Sequence, residues 1–569
     1  MVKVSDVVAE FLHFHKINTI FGIIGSANAH IFDSINKLGY TRIVNMFHEQ
    51  AVVIAAGAYY RATGELAAAL VTAGAGSSNA ITGVISNWAD SVPSIIIAGQ
   101  ESTNYLLDHK NLRMMGTQGF DVVEMVKNVT KYSTTVMHSD EIIKKLNHAL
   151  QISNMPRQGP AWVTIPFNIQ SELISFNTKD FIISNTLQQS NIKSEDIKYI
   201  IDSLKKSKKP VFVFGNGIRH KVTREHLIKF IELFHIPSLL TWSVIDMLPE
   251  EYILNYGRFG LYGQRRGNFI IQNSDLIIVF GSRLAIPQIG YNIKDFAPNA
   301  KIILIDIDPD EVLKLNEIVD RYIQEDCLTA LSKIENYVLN NIKIEKKEEW
   351  INQCNNYRNL YQPNQEPIYY SEEENKFINS YRFLDKLSPL LKEDHIIVTD
   401  MGTALLSGHQ ILKLKQNQTM FTSLGLGEMG YGLPGAIGAA IACPKRPVLC
   451  LNCDGGMMFN LQELQTIINY NLPIKIIVFN NDGYLMIKHT QKMIVEGRYV
   501  AVNKATDIGL PDYSKLGSAL GFLTYKIKSW NGYEDKIVKF LNTKHPSICE
   551  VFMNPEQEFI PKVKGLVGT

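Results

Sequence analysis

Residues 447–484 read PVLCLNCDGGMMFNLQELQTIINYNLPIKIIVFNNDGY, and this stretch decides the fold. VLCLN is a short apolar run of the kind found in strands buried on both faces of a parallel sheet. It delivers Asp454 to a tight turn, Gly455-Gly456, which opens the helical run MFNLQELQTIINY. A second strand, IKIIVFN, then ends at Asn480-Asn481. One strand–helix–strand unit therefore sets Asp454 and Asn481, 27 positions apart, at neighbouring strand ends. At such an edge a helix N-terminus and backbone N–H groups face an anion. A carboxylate, an amide oxygen, a backbone carbonyl, two phosphate oxygens and water make the all-oxygen octahedron that magnesium takes. A bare carboxylate repels a diphosphate, so a metal is needed to join them. Each half alone reads as a capping Asp or a turn Asn; together, at this spacing, they read as a site.

Working outward, three segments repeat the alternation of short β-rich runs with helical patterns, which predicts an α/β chain of three doubly wound parallel-sheet domains. The first spans 1–170, with strands in NTIFGI, TRIVNMF, AAALVTAG, SIIIAGQ and AWVTIP. The second spans 190–340, with strands in PVFVFGNG, PSLLTW, DLIIVFGSR and KIILIDIDPD. The third spans 375–561, with strands in HIIVTD, TMFTSL, RPVLCLNCD, IKIIVFN and SICEVFM. The stretch 171–191 and the charged passage KIEKKEEWINQCNNYRNLYQPNQEPIYYSEEEN read as linkers, the latter partly helical.

A chain of 569 residues exceeds what one core organises. With 57 basic against 56 acidic residues it carries no charge that would mark a nucleic-acid or membrane surface. Six cysteines are too few for a disulfide framework, and Cys450, in the apolar strand before Cys453, reads as a buried structural thiol. The N-terminus lacks the pattern of a signal peptide and no apolar run is long enough to span a bilayer, so a cytoplasmic protein is expected.

The motif resembles the signature of thiamine-diphosphate enzymes, G-D-G followed some way on by N-N, with Cys453 in place of the first glycine. By this resemblance Asp454, Asn481 and the Gly483 carbonyl are the metal ligands, with Gly455 and Gly456 beside the diphosphate. The turn Gly402-Thr403-Ala404 is its second cradle. SLGLGEMGYGLPGAIGAA resembles the segment that cradles the pyrimidine, with Met429 under the bend of the cofactor and the Gly427 carbonyl accepting its amino group. Activation of the cofactor requires a carboxyl beside the aminopyrimidine in a largely apolar pocket. In FHEQAVVIAAGAYYRATG the resemblance assigns that role to Glu49; alone, Glu49 would read as an acid favouring a helix N-terminus.

Along the whole chain the resemblance is to acetolactate synthase-like proteins. It places Gln118 in the active site and the loop Gly25-Ser26-Ala27-Asn28 beside the reactive carbon, with Ser26 and Asn28 as polar contacts. His30 reads as a structural helix residue. Met486 matches the Met after N-N, but Thr490 stands where branched-chain acetohydroxyacid synthases carry a Trp, Phe167 where they carry a Lys, and Thr117 where a Phe is customary. Thr490 leaves a roomier, more polar pocket, in the style of relatives that act on ketosugar nucleotides. The middle segment resembles a flavin-carrying domain, with Arg283 beside FAD, although non-flavin relatives share the fold. The resemblance implies decarboxylation of a 2-oxo acid, most simply pyruvate, and transfer of its two-carbon remainder to a ketone or aldehyde acceptor. It also implies a homodimer or homotetramer with the site between subunits. Acetolactate synthesis proper is one alternative; simple non-oxidative decarboxylation is another, disfavoured because MMGTQGF lacks a His-His pair. A cofactor-dead regulatory relative is disfavoured because Glu49, Asp454 and Asn481 are all retained.

Overall fold

A computed structural model describes residues 1–106, 113–114, 116–183, 192–342, 344–371 and 376–563. Three six-stranded parallel sheets carry the chain. In the first, the strands run in the order Arg42–Asn45, Thr19–Gly22, Ala68–Val71, Ser94–Gln100, Pro160–Pro166, Tyr132–Thr135. In the third, the order is Thr419–Phe421, Ile396–Thr399, Val448–Cys453, Lys475–Asn480, Ser547–Phe552, Leu523–Ile527. Counted in chain order within each sheet, both are 2-1-3-4-6-5. The middle sheet is 3-2-1-4-5-6: Asn255–Arg258, Ser238–Leu240, Pro210–Phe214, Leu276–Phe280, Lys301–Asp306, Arg321–Gln324. In such sheets ligands bind outside the strand ends where the order reverses. That point lies between Ile396–Thr399 and Val448–Cys453 in the third sheet, and between Pro210–Phe214 and Leu276–Phe280 in the middle one.

The first and third sheets are joined by two helices that are buried on nearly every side. Glu49–Thr63, EQAVVIAAGAYYRAT, starts on His48, whose Nδ1 accepts the Gln50 N–H, and stops at Gly64 in the left-handed region. Gly432–Ala442, GLPGAIGAAIA, is apolar all round, as a helix packed between layers must be. The two meet where Gly438 faces Ala55; a Cβ on Gly438 would stand 2.3 Å from the Ala55 carbonyl oxygen. One continuous apolar core, from Phe21 and Val53 to Ile437 and Ile476, therefore spans both domains.

The described parts of both linkers, 171–183 and 344–371, are more ordered than their composition suggests, and 184–191, 343 and 372–375 lie outside the described residues. Leu173–Ile174 pairs antiparallel with Val2–Lys3, and Phe181 is buried against Phe11, so this stretch docks back on the first sheet. The helix Glu348–Leu360 buries Trp350, Ile351 and Cys354 in the core of the middle sheet. Among the described residues no helix is long and apolar enough to cross a membrane. All six cysteines are free, and Cys450 is fully buried.

The Gly438 contact gives a direct test of the two-domain core. Gly438→Val is expected to destabilise the protein by about 1–3 kcal/mol in a denaturation experiment, because the helices must separate. Gly509→Val, where nothing lies within 4 Å of an added Cβ, should leave the transition unchanged.

Candidate active site

Asp454 follows the strand Val448–Cys453 and has no exposed surface. One carboxylate oxygen accepts the Gly455 N–H at 2.9 Å; the other accepts those of Asn481 at 2.9 Å and Gly483 at 3.1 Å. Burial pushes this carboxyl up to about 7, against the pull of the three donors. Asn481, 2% exposed, donates its Nδ2 to the Thr403 hydroxyl at 3.4 Å, while its Oδ1 has no hydrogen-bond partner among the described residues. Leaving a buried acceptor unpaired costs about 1–3 kcal/mol. A hard divalent cation is the species that both a buried carboxylate and an orphaned amide oxygen accept. Among the described residues no group of three His, Cys, Asp or Glu side chains could hold a metal. Gly483, expected as the third ligand through its carbonyl, stands at φ +138°, with Val502 O 1.9 Å from where a Cβ would stand, so only glycine fits there.

The neighbouring strand, Ile396–Thr399, leads through Asp400 and Met401 to Gly402 and the helix Thr403–Ile411. The Thr403 hydroxyl meets Asn481 here. The Ala404 N–H, expected in the cradle, instead donates to the Cys453 sulfur at 3.3 Å, and the Cys453 thiol donates to the Met401 carbonyl at 3.2 Å. Cys453 thus ties the two turns together by a sulfur bridge of hydrogen bonds, which a glycine could not do. Asp400, fully buried and pushed up to about 7 by that burial, accepts the N–H groups of Met401 and Gly430. Asn460 donates to the Gly430 carbonyl at 2.7 Å. These bonds pin the segment 427–430 over the strand ends. Met429 Cε comes within 3.5 Å of the Cβ position of Gly455, and Gly456 packs on Asp400 and Asn452.

On the first sheet, Glu49 is 9% exposed. Its Oε2 accepts from Asn79 Nδ2 at 3.1 Å, and its Oε1 lies 3.2 Å from the Cβ position of Gly76. Gln118 lies over Gly74, and Thr72 packs between Gly25 and Gly76, so Glu49, Gln118 and the Gly25–Asn28 loop surround one turn. Ser26 is exposed. Asn28, expected as a polar contact, is fully buried, with Oδ1 accepting the Gly25 N–H and Nδ2 donating to the Ile23 carbonyl, which shapes the loop. The His30 ring packs tilted against Phe167, ring centroids 4.9 Å apart.

Among the described residues no hydrogen bond joins these two clusters. Arg61, near the far end of the helix that Glu49 begins, pairs with Asp90 at 2.7 Å, and Asp90 accepts the N–H groups of Leu424 and Gly425. The segment 424–429 therefore sits at the Arg61 end, about 18 Å along the helix from Glu49 at about 1.5 Å per residue. Arg283 stands apart from both, on the wall of a cavity of about 580 Å³ at the reversal point of the middle sheet. Asn216, Gly217, Ser282 and Asp306 line it, and Met401, Leu405 and Leu424 connect it to the cluster around Asp454. Met486 packs partly buried against the core of the third sheet. Thr490 donates its hydroxyl to the Met486 carbonyl at 3.1 Å. Sequence reasoning gave no role to Asp90, Asp400 or Glu463, although the last two lie in quoted stretches; the backbone N–H groups they accept reveal their work.

Sequence models of thiamine pyrophosphate enzymes match the chain in three parts: the N-terminal TPP binding domain over residues 2–125, the central domain over 197–334 and the C-terminal TPP binding domain over 400–551. The chain is 29% identical to the acetolactate synthase catalytic subunit, mitochondrial, of Saccharomyces cerevisiae, covering 99% of this chain and 82% of that protein. It is 28% identical to the acetolactate synthase large subunit of Buchnera aphidicola, over 94% of this chain and 91% of that one. To the acetolactate synthase isozyme 1 large subunit of Escherichia coli it is 27% identical, over 98% and 95% respectively. With its three domains matched in order and its relatives aligned almost end to end, the chain belongs to the thiamine pyrophosphate enzymes and is acetolactate synthase-like.

Proposed function

We propose that this chain, working as a homo-oligomer, binds thiamine diphosphate and Mg2+, decarboxylates a 2-oxo acid such as pyruvate and joins the two-carbon remainder to a ketone or aldehyde. The observation that carries the reading is the Asn481 amide oxygen, buried and without a partner beside a carboxylate that no lysine or arginine neutralises among the described residues. When bound, thiamine diphosphate supplies an acidic carbon and an electron sink for the decarboxylation. Asp454, Asn481 and the Gly483 carbonyl hold the metal that carries its diphosphate, assisted by Thr403. Gly427 and Met429 hold its pyrimidine half. A carboxyl is needed at the ring nitrogen, and the chain's own Glu49 lies at the wrong end of its helix. Glu49 of the partner subunit fills that place in a twofold pair, which supports a site between subunits. There Asn79 steadies the carboxylate at 3.1 Å, and the buried surroundings of Glu49 keep water from competing for the proton.

The acceptor side of the pocket is formed by the Gly25–Ser26 loop, Gln118, Met486 and Thr490. With its hydroxyl spent on the helix, Thr490 presents little bulk where a tryptophan would close the space. This supports an acceptor larger than a second small 2-oxo acid, of the ketosugar-nucleotide kind. Incubated with pyruvate, thiamine diphosphate and Mg2+, the enzyme is expected to consume pyruvate fastest with such an acceptor, as read by mass spectrometry of the products. Equal or faster turnover with 2-oxobutyrate, or free acetaldehyde as sole product, would contradict this assignment.

For the middle domain we infer a dinucleotide of the FAD type. A 3-2-1-4-5-6 sheet binds dinucleotides across its reversal point, and a cavity of about 580 Å³ lies there between Gly215–Gly217 and Gly281–Arg283. The purified protein should carry a flavin absorbance, and Arg283→Ala should weaken flavin retention by about tenfold in a dialysis titration, as loss of one charged contact does. A protein that neither co-purifies with nor binds FAD would remove the flavin from this account.

A further inference from the structure

The turn that delivers Glu49 is held from outside its own domain. Asn45 to His48 connect the strand Arg42–Asn45 to the helix Glu49–Thr63. Two of their N–H groups cross to the third domain of the same chain: Asn45 donates to the Tyr470 hydroxyl at 2.7 Å, and Phe47 donates to Glu463 Oε1 at 3.1 Å. Arg42 also lies over the Tyr470 ring, 5.8 Å from its centroid. The second oxygen of Glu463 accepts the Thr466 hydroxyl at 2.6 Å. Phe47 is 51% exposed, whereas Met46 is buried in the core and donates its N–H to the Gly22 carbonyl, so the bonds to Tyr470 and Glu463 add to that anchor on the side of the turn nearest Glu49.

Glu463 is an expensive residue to place here. It has no exposed surface, and no lysine, arginine or histidine pairs with it among the described residues. A buried carboxyl without an ion partner is normally selected against, because desolvation outweighs what neutral hydrogen bonds return. Packing alone would be met by leucine. What leucine cannot do is accept a backbone N–H from the turn before Glu49.

We propose that Glu463 is a positioning residue: by accepting the Phe47 N–H it fixes the first turn of the helix that carries Glu49, and so sets where the Glu49 carboxyl meets the cofactor. The inference rests on the reading above, in which Glu49 activates thiamine diphosphate. An activating carboxyl must stand within hydrogen-bond reach of its ring nitrogen, and a displacement of about 1 Å costs on the order of a hundredfold in rate. Asn79 aims the Glu49 side chain, while Glu463 and Tyr470 locate its backbone. Glu463 lies on the connection that leaves the Asp454 turn, so the domain that holds one cofactor sets the acid that serves the other.

The test uses Glu463→Ala, Glu463→Gln and Tyr470→Phe in the full-length protein, with Glu49→Gln as reference. Two quantities are measured: amide hydrogen exchange of the 45–49 segment without cofactor, and exchange of the C2 proton of thiamine diphosphate at saturating cofactor and Mg2+. Glu463→Ala should speed segment exchange by about tenfold or more and slow C2 exchange by about tenfold or more, with cofactor affinity changed less than about threefold. Glu463→Gln keeps one acceptor oxygen and should restore both to within about threefold of wild type. Tyr470→Phe, which removes only a hydroxyl, should shift both in the same direction by a smaller factor, and decides the matter should the alanine variant not fold. Wild-type exchange in Glu463→Ala or Tyr470→Phe, or a glutamine variant as impaired as the alanine one, would overturn the proposal. Unchanged C2 exchange in Glu49→Gln would instead remove the role of Glu49 itself.

Discussion

The Asp454 carboxylate is buried at a strand end, holds three backbone N–H groups, and has no basic side chain opposite it among the described residues. Everything around it is arranged by that circumstance. The three donors come from the turn after its own strand and from the turn after the next, so the carboxylate locks Gly455, Asn481 and Gly483 into one rigid rim. The Asn481 amide is turned by Thr403 so that its oxygen is left over. Such a rim is destabilising in an empty protein and stabilising once a divalent cation joins it, because metal-binding free energy then becomes folding free energy. The second rim, from Met401 to Gly430, is held in the same manner by Asp400, and the Cys453 sulfur joins the two.

The same topology serves twice and a related one serves once. First and third sheets share the order 2-1-3-4-6-5 and press together through two small-residue helices, Glu49–Thr63 and Gly432–Ala442. That packing is what separates Glu49 from the cradle of its own chain. Carboxylates then stitch the seam in both directions: Asp90 of the first domain takes the Leu424 and Gly425 N–H groups of the third, and Glu463 of the third takes the Phe47 N–H of the first. Each domain thereby holds a turn of the other in place.

Much of this was legible in the sequence because the buried strands write themselves as unbroken apolar runs; PVFVF, LIIVF and IIVT are strands as expected. Within the three large sheets four strands were not seen: Tyr132–Thr135, Asn255–Arg258, Arg321–Gln324 and Leu523–Ile527. All four are edge strands. With one neighbour instead of two they carry polar residues, as in YSTT and NYGR, and lose the period that identifies a buried strand. The linkers misled for a related reason: Phe181, Trp350 and Cys354 are single apolar anchors in polar surroundings, below what periodicity detects. At the site, residues in motifs could be located, whereas their orientation could not. Asn28 turned inward, the Thr490 hydroxyl was consumed by the Met486 carbonyl, and Ala404 gave its N–H to sulfur. Each outcome is set by a partner close in space whose identity no local pattern encodes.

The central claim is that a working site combines the Asp454 cluster of one chain with Glu49 of another. Subunit complementation tests it most directly. Glu49→Gln and Asp454→Ala are each inactive on this account; mixed under conditions that exchange subunits, half of the resulting pairs carry one site with both wild-type halves. The mixture should regain about a quarter of wild-type turnover. Mixed pairs demonstrated by native mass spectrometry but devoid of activity would show that each chain builds its site alone, and would contradict the account.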